Sequence, residues 1–245
     1  MIRIVIALIV VILFFTVSFF LILPAEWLLG RFNPKAKEDS SLAIVKWAFR
    51  TVMFIAGCKP KVIGLEQVPK DEAVLYVANH LSFFDIIITY SLVPGQTCYI
   101  SKKENRVPIL AQYMKNLHCL FLDRKDIRQG MQIILQAIQF VKDDGISVFI
   151  FPEGTRSRTG ELLPFKEGSF KIASKSGCKI VPVAITGSSA IFEDHFPLLK
   201  KGEVIVEYGK PFTIRELSPE DQKFPGRYTH DLIASMKENH ASLLS

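Results

Sequence analysis

The sequence predicts an α/β fold with a largely parallel central sheet flanked by helices, preceded by an N-terminal membrane-associated helical segment. Two observations carry this. From Pro60 onward, short apolar runs of strand length alternate with runs of helical period, the pattern of crossover connections between parallel strands. Ahead of them, the twenty residues from Ile4 to Leu23 (IVIALIVVILFFTVSFFLIL) carry no charge. At about 1.5 Å per helical residue they match the roughly 30 Å hydrocarbon thickness of a bilayer. The chain of 245 residues is 49% hydrophobic and 22% charged, which excludes disorder and collagen and fits one globular domain with a small appendage. A boundary near residue 58 separates the membrane-associated helices (1–58) from the α/β domain (59–245).

The elements follow in chain order. The uncharged run is longer than the h-region of a signal peptide, and no A-x-A-like cleavage site follows it. After Pro24 a polar stretch through Asn33-Pro34-Lys35 leads into a second apolar segment, Leu42 to Ile55, broken only by Lys46 and Arg50. Those cations are four apart and share a helix face, which fits either an interfacial helix or one packed on the soluble domain. The two segments form a membrane-dipping hairpin or a span followed by such a helix. AVLYVAN (Ala73 to Asn79) reads as a buried strand, and DIIITYSLV as a helix stopped by Pro94-Gly95. CLFL (Cys119 to Leu122) is a shorter strand. The helix after it has Met131, Ile134, Ile138 and Val141 at helical spacing. ISVFIF, a short helix in GSFKIASKSG, and KIVPVAITG continue the alternation. EVIVEYG reads as a half-buried strand nearer an edge, and Thr229 to Leu244 as a surface amphipathic helix.

Polar clusters follow three of these strands: Asn79-His80, Asp123-Arg124 and Glu153-Gly154-Thr155-Arg156. Ligands of open parallel sheets gather outside the strands' carboxyl ends, so the three are expected to converge on one crevice. His80 and Asp85 are five apart, about 140° around a helix, and can meet only if His80 precedes the helix. Ser82 as N-cap with Asp85 at N3 provides that arrangement, leaving Asp85 either as a cap alone or as a cap that also holds the imidazole. In FPEGTRSRTG, Arg156 and Arg158 supply planar donors suited to phosphate. No P-loop motif is present, and no G-x-S-x-G. The four cysteines form no C-x-x-C pair. Thirty Lys+Arg against twenty-four Asp+Glu give a net charge of +6, which suits an anionic partner.

NHLSFFD (Asn79 to Asp85), FLDR (Phe121 to Arg124), FPEGTRS (Phe151 to Ser157) and VPVAI (Val181 to Ile185) resemble the four ordered blocks of the glycerolipid acyltransferase family. The resemblance implies transfer of an acyl group from acyl-CoA or acyl-carrier protein to the free sn-2 hydroxyl of a lysophosphatidate in phospholipid synthesis. It casts His80 as general base and Asp85 as its partner, with no acyl-enzyme. Arg124, Arg156 and Thr155 would contact the acceptor, Gly154 would allow close backbone approach, and Glu153 would order the loop or the acceptor. Lys103, with Lys102 and Lys166, falls near the blocks as a further candidate for phosphate or donor contacts. A thioester donor brings its own activation, so no metal or other cofactor is expected. Other acceptors, such as glycerol 3-phosphate or another lysolipid, and a non-catalytic lipid-binding role are the competing readings. A nucleic-acid binder would leave the apolar segment without a purpose, so no nucleic-acid partner is expected. Arg31, Lys35 and Lys37 after the apolar run favour a catalytic domain on the cytoplasmic side of the inner membrane. The second block departs from the family pattern at His118, where relatives commonly carry glycine.

Overall fold

The structure, a computed structural model, describes residues 2–105, 108–123 and 126–243. Helix α1 (Ile2–Val17) continues through a single π turn (Ser18–Ile22) into α2 (Leu23–Phe32). The result is one apolar helix of 31 residues, about 46 Å long. Pro24 does not end it. The π turn lies immediately upstream, with the Leu23 N–H bonded to the Ser18 carbonyl five residues back. That wider turn accommodates a ring that would otherwise press on the carbonyl four residues earlier. Asn33 breaks the helix and caps α3 (Pro34–Ala56), its side chain accepting from the Ala36 N–H at 3.0 Å.

The two helical segments fold back on each other. Arg3 donates to the Ala56 carbonyl, Phe14 packs on Trp47, and the Ser41 hydroxyl bonds Glu26 at 2.8 Å, so contacts close as an antiparallel hairpin. Of the two roles open to Lys46 and Arg50, packing against the domain is the one observed. Lys46 Nζ meets the Val93 carbonyl at 2.6 Å and Arg50 the Ser91 carbonyl at 3.3 Å, at the end of helix α4 (Phe83–Leu92). Cations there satisfy carbonyls left open by the helix end and oppose its negative pole. The outer face of α1 keeps Ile9, Ile12 and Leu13 about 60% exposed, an apolar stripe too long for a surface facing only water.

The strands are β1 (Lys59–Ile63), β2 (Leu75–Ala78), β3 (Thr97–Lys102), β4 (Leu120–Leu122), β5 (Ser147–Ile150), β6 (Ile180–Thr186) and β7 (Glu203–Tyr208). They form one sheet in the order β1-β7-β6-β2-β5-β3-β4, parallel throughout except between β6 and β7. Alternate residues of β2 point to opposite faces. Tyr76 and Ala78 join the core under α3 and α4, whereas Leu75 and Val77 join the core under α6 (Ile127–Lys142), α7 (Lys171–Ser176) and α8 (Pro225–Ala241). Both faces being covered explains the near-continuous apolar runs.

Two expectations need correction. Strand β7 lies next to the edge, as expected, but is not half-buried: β1 pairs along its outer side, and Val204, Ile205 and Val206 are all buried. In α6 the buried line is Ile133, Ala137 and Val141, while Met131 is 60% exposed, so the inward face is rotated from the one its largest side chains suggested. The sequence reading did not name β1, β3 or α5 (Pro108–Asn116), whose polar residues interrupt any apolar run.

Candidate active site

At the end of β2, Asn79 uses its side chain as a substitute for backbone. It donates to the Ile185 carbonyl at 2.9 Å and accepts from the Ile185 N–H at 2.8 Å, holding β2 to β6 one residue beyond the ladder. His80 is thereby delivered to the sheet's carboxyl edge, ahead of α4. Ser82 caps that helix, accepting from the Phe84 N–H at 2.9 Å, and Asp85 at N3 completes the capping box. Oδ2 of Asp85 accepts from the Leu81 N–H at 2.6 Å and the Ser82 N–H at 2.8 Å, and lies 2.8 Å from Nδ1 of His80. The cap and the imidazole holder are one and the same oxygen.

The tautomer follows from this geometry. An ionised carboxylate only accepts, so the proton sits on Nδ1 and the Nε2 lone pair is left without a hydrogen-bond partner among the described residues. Asp85 is fully buried, and the ring of Phe151 stacks on the imidazole at 4.2 Å, so the imidazole can neither rotate nor lose its orienting group to water.

The loop after β5 grips His80 from the other side. The buried carboxylate of Glu153 accepts from the His80 N–H at 2.7 Å and from the Leu163 N–H at 3.3 Å, and the Ser157 N–H donates to the His80 carbonyl at 2.8 Å. Of the two roles open to Glu153, ordering the loop is the one these contacts describe. Its burial pushes the carboxyl up from 4.5 to about 7, only partly offset by those N–H donors. Between these values the folded protein holds a proton that the unfolded chain releases, so stability falls as pH rises through the window. Glu153→Gln removes that slope. Its unfolding free energy relative to the parent should rise by about 3 kcal/mol between pH 4.5 and 7, whatever the constant offset from the altered Leu163 contact. Denaturant titrations at several pH values check this, and a pH-independent difference would contradict it.

Gly154 has φ of +75°, and a Cβ there would lie 2.5 Å from Lys166 Nζ, so the loop requires glycine. Thr155 is exposed at the tip. Arg156 lies over the Phe83 ring at 4.0 Å, while its Nη1 meets Oε1 of Glu193 at 2.9 Å. It borders a cavity of about 770 Å³ that Leu81, Ser157 and Arg158 also line.

The convergence is narrower than expected. The clusters after β2 and β5 touch, but the strand carrying the third, β4, lies two strand spacings from β5 and three, about 14 Å, from β2. There Lys103 is exposed, 3.7 Å from Asp123 Oδ2. Arg124 lies outside the described residues. His118 has φ of +59°, the left-handed conformation that favours glycine. Sequence reasoning missed Glu193 and the fixing role of Asn79. Glu193 follows the carboxyl end of β6, so the rule applied to the other three strands would have reached it.

A family model described as Acyltransferase matches residues 59–186, from β1 to the end of β6, and thus spans all three clusters. The chain belongs to the acyltransferase family. Within this acyltransferase family the chain is 29% identical over 194 residues to a Saccharomyces cerevisiae protein, 1-acyl-sn-glycerol-3-phosphate acyltransferase, covering 78% of this chain and 64% of that one. It is 40% identical over 157 residues to the chloroplastic 1-acyl-sn-glycerol-3-phosphate acyltransferase BAT2 of Brassica napus, covering 62% of this chain. The chain thus spans 64% and 45% of the length of these two relatives. The acyltransferase fold also matches the crystal structure of the 1-acyl-sn-glycerophosphate (LPA) acyltransferase PlsC from Thermotoga maritima. The TM-score is 0.76 and the identity 25%, over 97% of each chain.

Proposed function

We propose that this acyltransferase moves an acyl group from a thioester, acyl-CoA or acyl-carrier protein, to the sn-2 hydroxyl of 1-acyl-sn-glycerol 3-phosphate, giving phosphatidate and the free thiol. The observation that carries the reading is the Nδ1-anchored His80, whose Nε2 has no hydrogen-bond partner among the described residues and whose chain neighbour Leu81 lines the cavity bordered by Arg156. Nε2 takes the hydroxyl proton as the oxygen attacks the thioester carbonyl. Asp85 stabilises the imidazolium so formed, and the tetrahedral intermediate collapses with loss of thiolate, to which the imidazolium returns the proton. Ser82 supports a route without an acyl-enzyme: its oxygen is committed to the Phe84 N–H as the cap of α4. Arg156 gives the acceptor phosphate a planar cation, the donor best matched to it. The names of the relatives favour lysophosphatidate over other acceptors.

Labelled acyl-CoA or acyl-carrier protein, offered to the detergent-solubilised protein with lysophosphatidate, glycerol 3-phosphate and lysophosphatidylcholine, tests the assignment. Preferential phosphatidate formation supports it, and transfer to another acceptor reassigns the substrate. Arg156→Ala should raise the acceptor KM about 10- to 100-fold, the loss of a charged hydrogen bond, with little change for the donor. A rise confined to the donor KM would move Arg156 to the donor site.

The reading includes association with a membrane through the apolar outer face of α1, where the water-insoluble acceptor resides. Ile9→Lys with Leu13→Lys, at positions about 60% exposed, should strip the protein from phospholipid vesicles in flotation while leaving its circular dichroism unchanged. Undiminished flotation would place the anchor elsewhere.

A further inference from the structure

We propose that Glu193 is an internal competitor for the acceptor phosphate, which occupies Arg156 until that phosphate displaces it. The inference rests on the acceptor assignment above and extends it to how Arg156 is made available.

Glu193 makes contacts of the kind a bound phosphate makes. Oε1 accepts from Arg156 Nη1 at 2.9 Å and from the Phe83 N–H at 2.8 Å, and Oε2 accepts from the Ser82 hydroxyl at 2.5 Å. A guanidinium, a backbone N–H in the first turn of α4 and a hydroxyl are thus all directed at one carboxylate. The adjoining cavity carries two cations, Arg156 and Arg158, and two acidic residues, Glu193 and Asp194. A phosphate reaching for Arg156 therefore approaches a carboxylate already bonded to the same nitrogen. Both cannot share it without like-charge repulsion at hydrogen-bond distance.

Exchange is sterically open. The side chains of Arg156 and Glu193 are 37% and 23% exposed, and Glu193 stands in a three-residue 3₁₀ turn between β6 and β7, so its departure unwinds no α-helix. Breaking the Arg156–Glu193 pair taxes every ligand of Arg156 by the same free energy, so Glu193 sets how tightly an acceptor phosphate is held. Glu193 lies beyond the residues 59–186 matched by the family model, so this control is assigned to the loop that follows the shared core.

The competing role, a brace that only holds Arg156 and the start of α4, makes the opposite prediction. For Glu193→Gln in the full chain, displacement predicts a lysophosphatidate KM lowered about fivefold. A brace predicts a raised lysophosphatidate KM, and that result would overturn the proposal. A second arm needs no turnover. Inorganic phosphate should raise the melting temperature of Glu193→Gln with a half-saturating concentration about fivefold below that of the parent, and equal concentrations would overturn the proposal. If the parent acylates none of the glycerol phosphate acceptors, the acceptor assignment fails while the phosphate arm still decides Glu193. Glu193→Ala, read the same way in both arms, replaces the glutamine variant if that variant does not fold.

Discussion

Replacing His80 with alanine should lower acyl transfer to lysophosphatidate by at least about 100-fold while leaving the protein folded, the scale expected when a general base is lost. The structure separates the two effects unusually well. What fixes this turn is the His80 backbone, through its N–H to Glu153 and its carbonyl to the Ser157 N–H, and neither contact uses the imidazole. Asp85 is not orphaned by the change, because Oδ2 keeps the Leu81 and Ser82 N–H donors. The cost in stability should therefore be about 2 to 4 kcal/mol, the worth of one hydrogen bond to a carboxylate plus the lost stacking on Phe151. Turnover with both substrates saturating, beside circular dichroism and a melting curve, is the measurement. Near-normal kcat in a folded variant would remove His80 from the chemistry.

How much of this was legible in the sequence depended on whether a residue's partner was local. The His80–Asp85 geometry could be worked out beforehand because a capping box fixes helix phase over four residues, and the helix start at Ser82 came with it. The strands β2, β5 and β6 were equally plain, since burial on both faces demands unbroken apolar runs. Strand β1 was not, because Lys59-Pro60-Lys61 gives no such run, and without β1 the burial of the adjacent β7 was underestimated. Glu153 shows the limit from the other side. Its motif marked it, yet its partner is a backbone N–H 73 residues away, and its role could only be divided between loop and acceptor. For Glu193 the three donors lie on α4 and the β5 loop, and no periodicity connects them to a turn after β6.

The second large effect is expected from Asp85→Asn, which should keep the fold and lower kcat by about 10³- to 10⁴-fold, as the same exchange does in a Ser-His-Asp triad. Three N–H groups point at Oδ2: those of Leu81 and Ser82 and Nδ1 of His80. An asparagine oxygen there still accepts from the backbone pair, so helix α4 keeps its cap. What it loses is the charge that stabilises the imidazolium after proton transfer. If the side chain turns its NH₂ toward His80, the Leu81 and Ser82 N–H groups lose their shared acceptor as well, and the imidazole must accept at Nδ1 and carry its proton on Nε2, where it cannot act as base. Both routes reduce kcat more than KM, since neither touches the acceptor phosphate or Arg156. Asp85→Ala should add a stability loss, because the buried Ser82 and Leu81 N–H groups would be left without an acceptor. A variant pair in which asparagine turns over normally and alanine fails only by unfolding would reduce Asp85 to a helix cap. A large kcat loss in a well-folded asparagine variant would establish that the capping oxygen also serves the proton transfer.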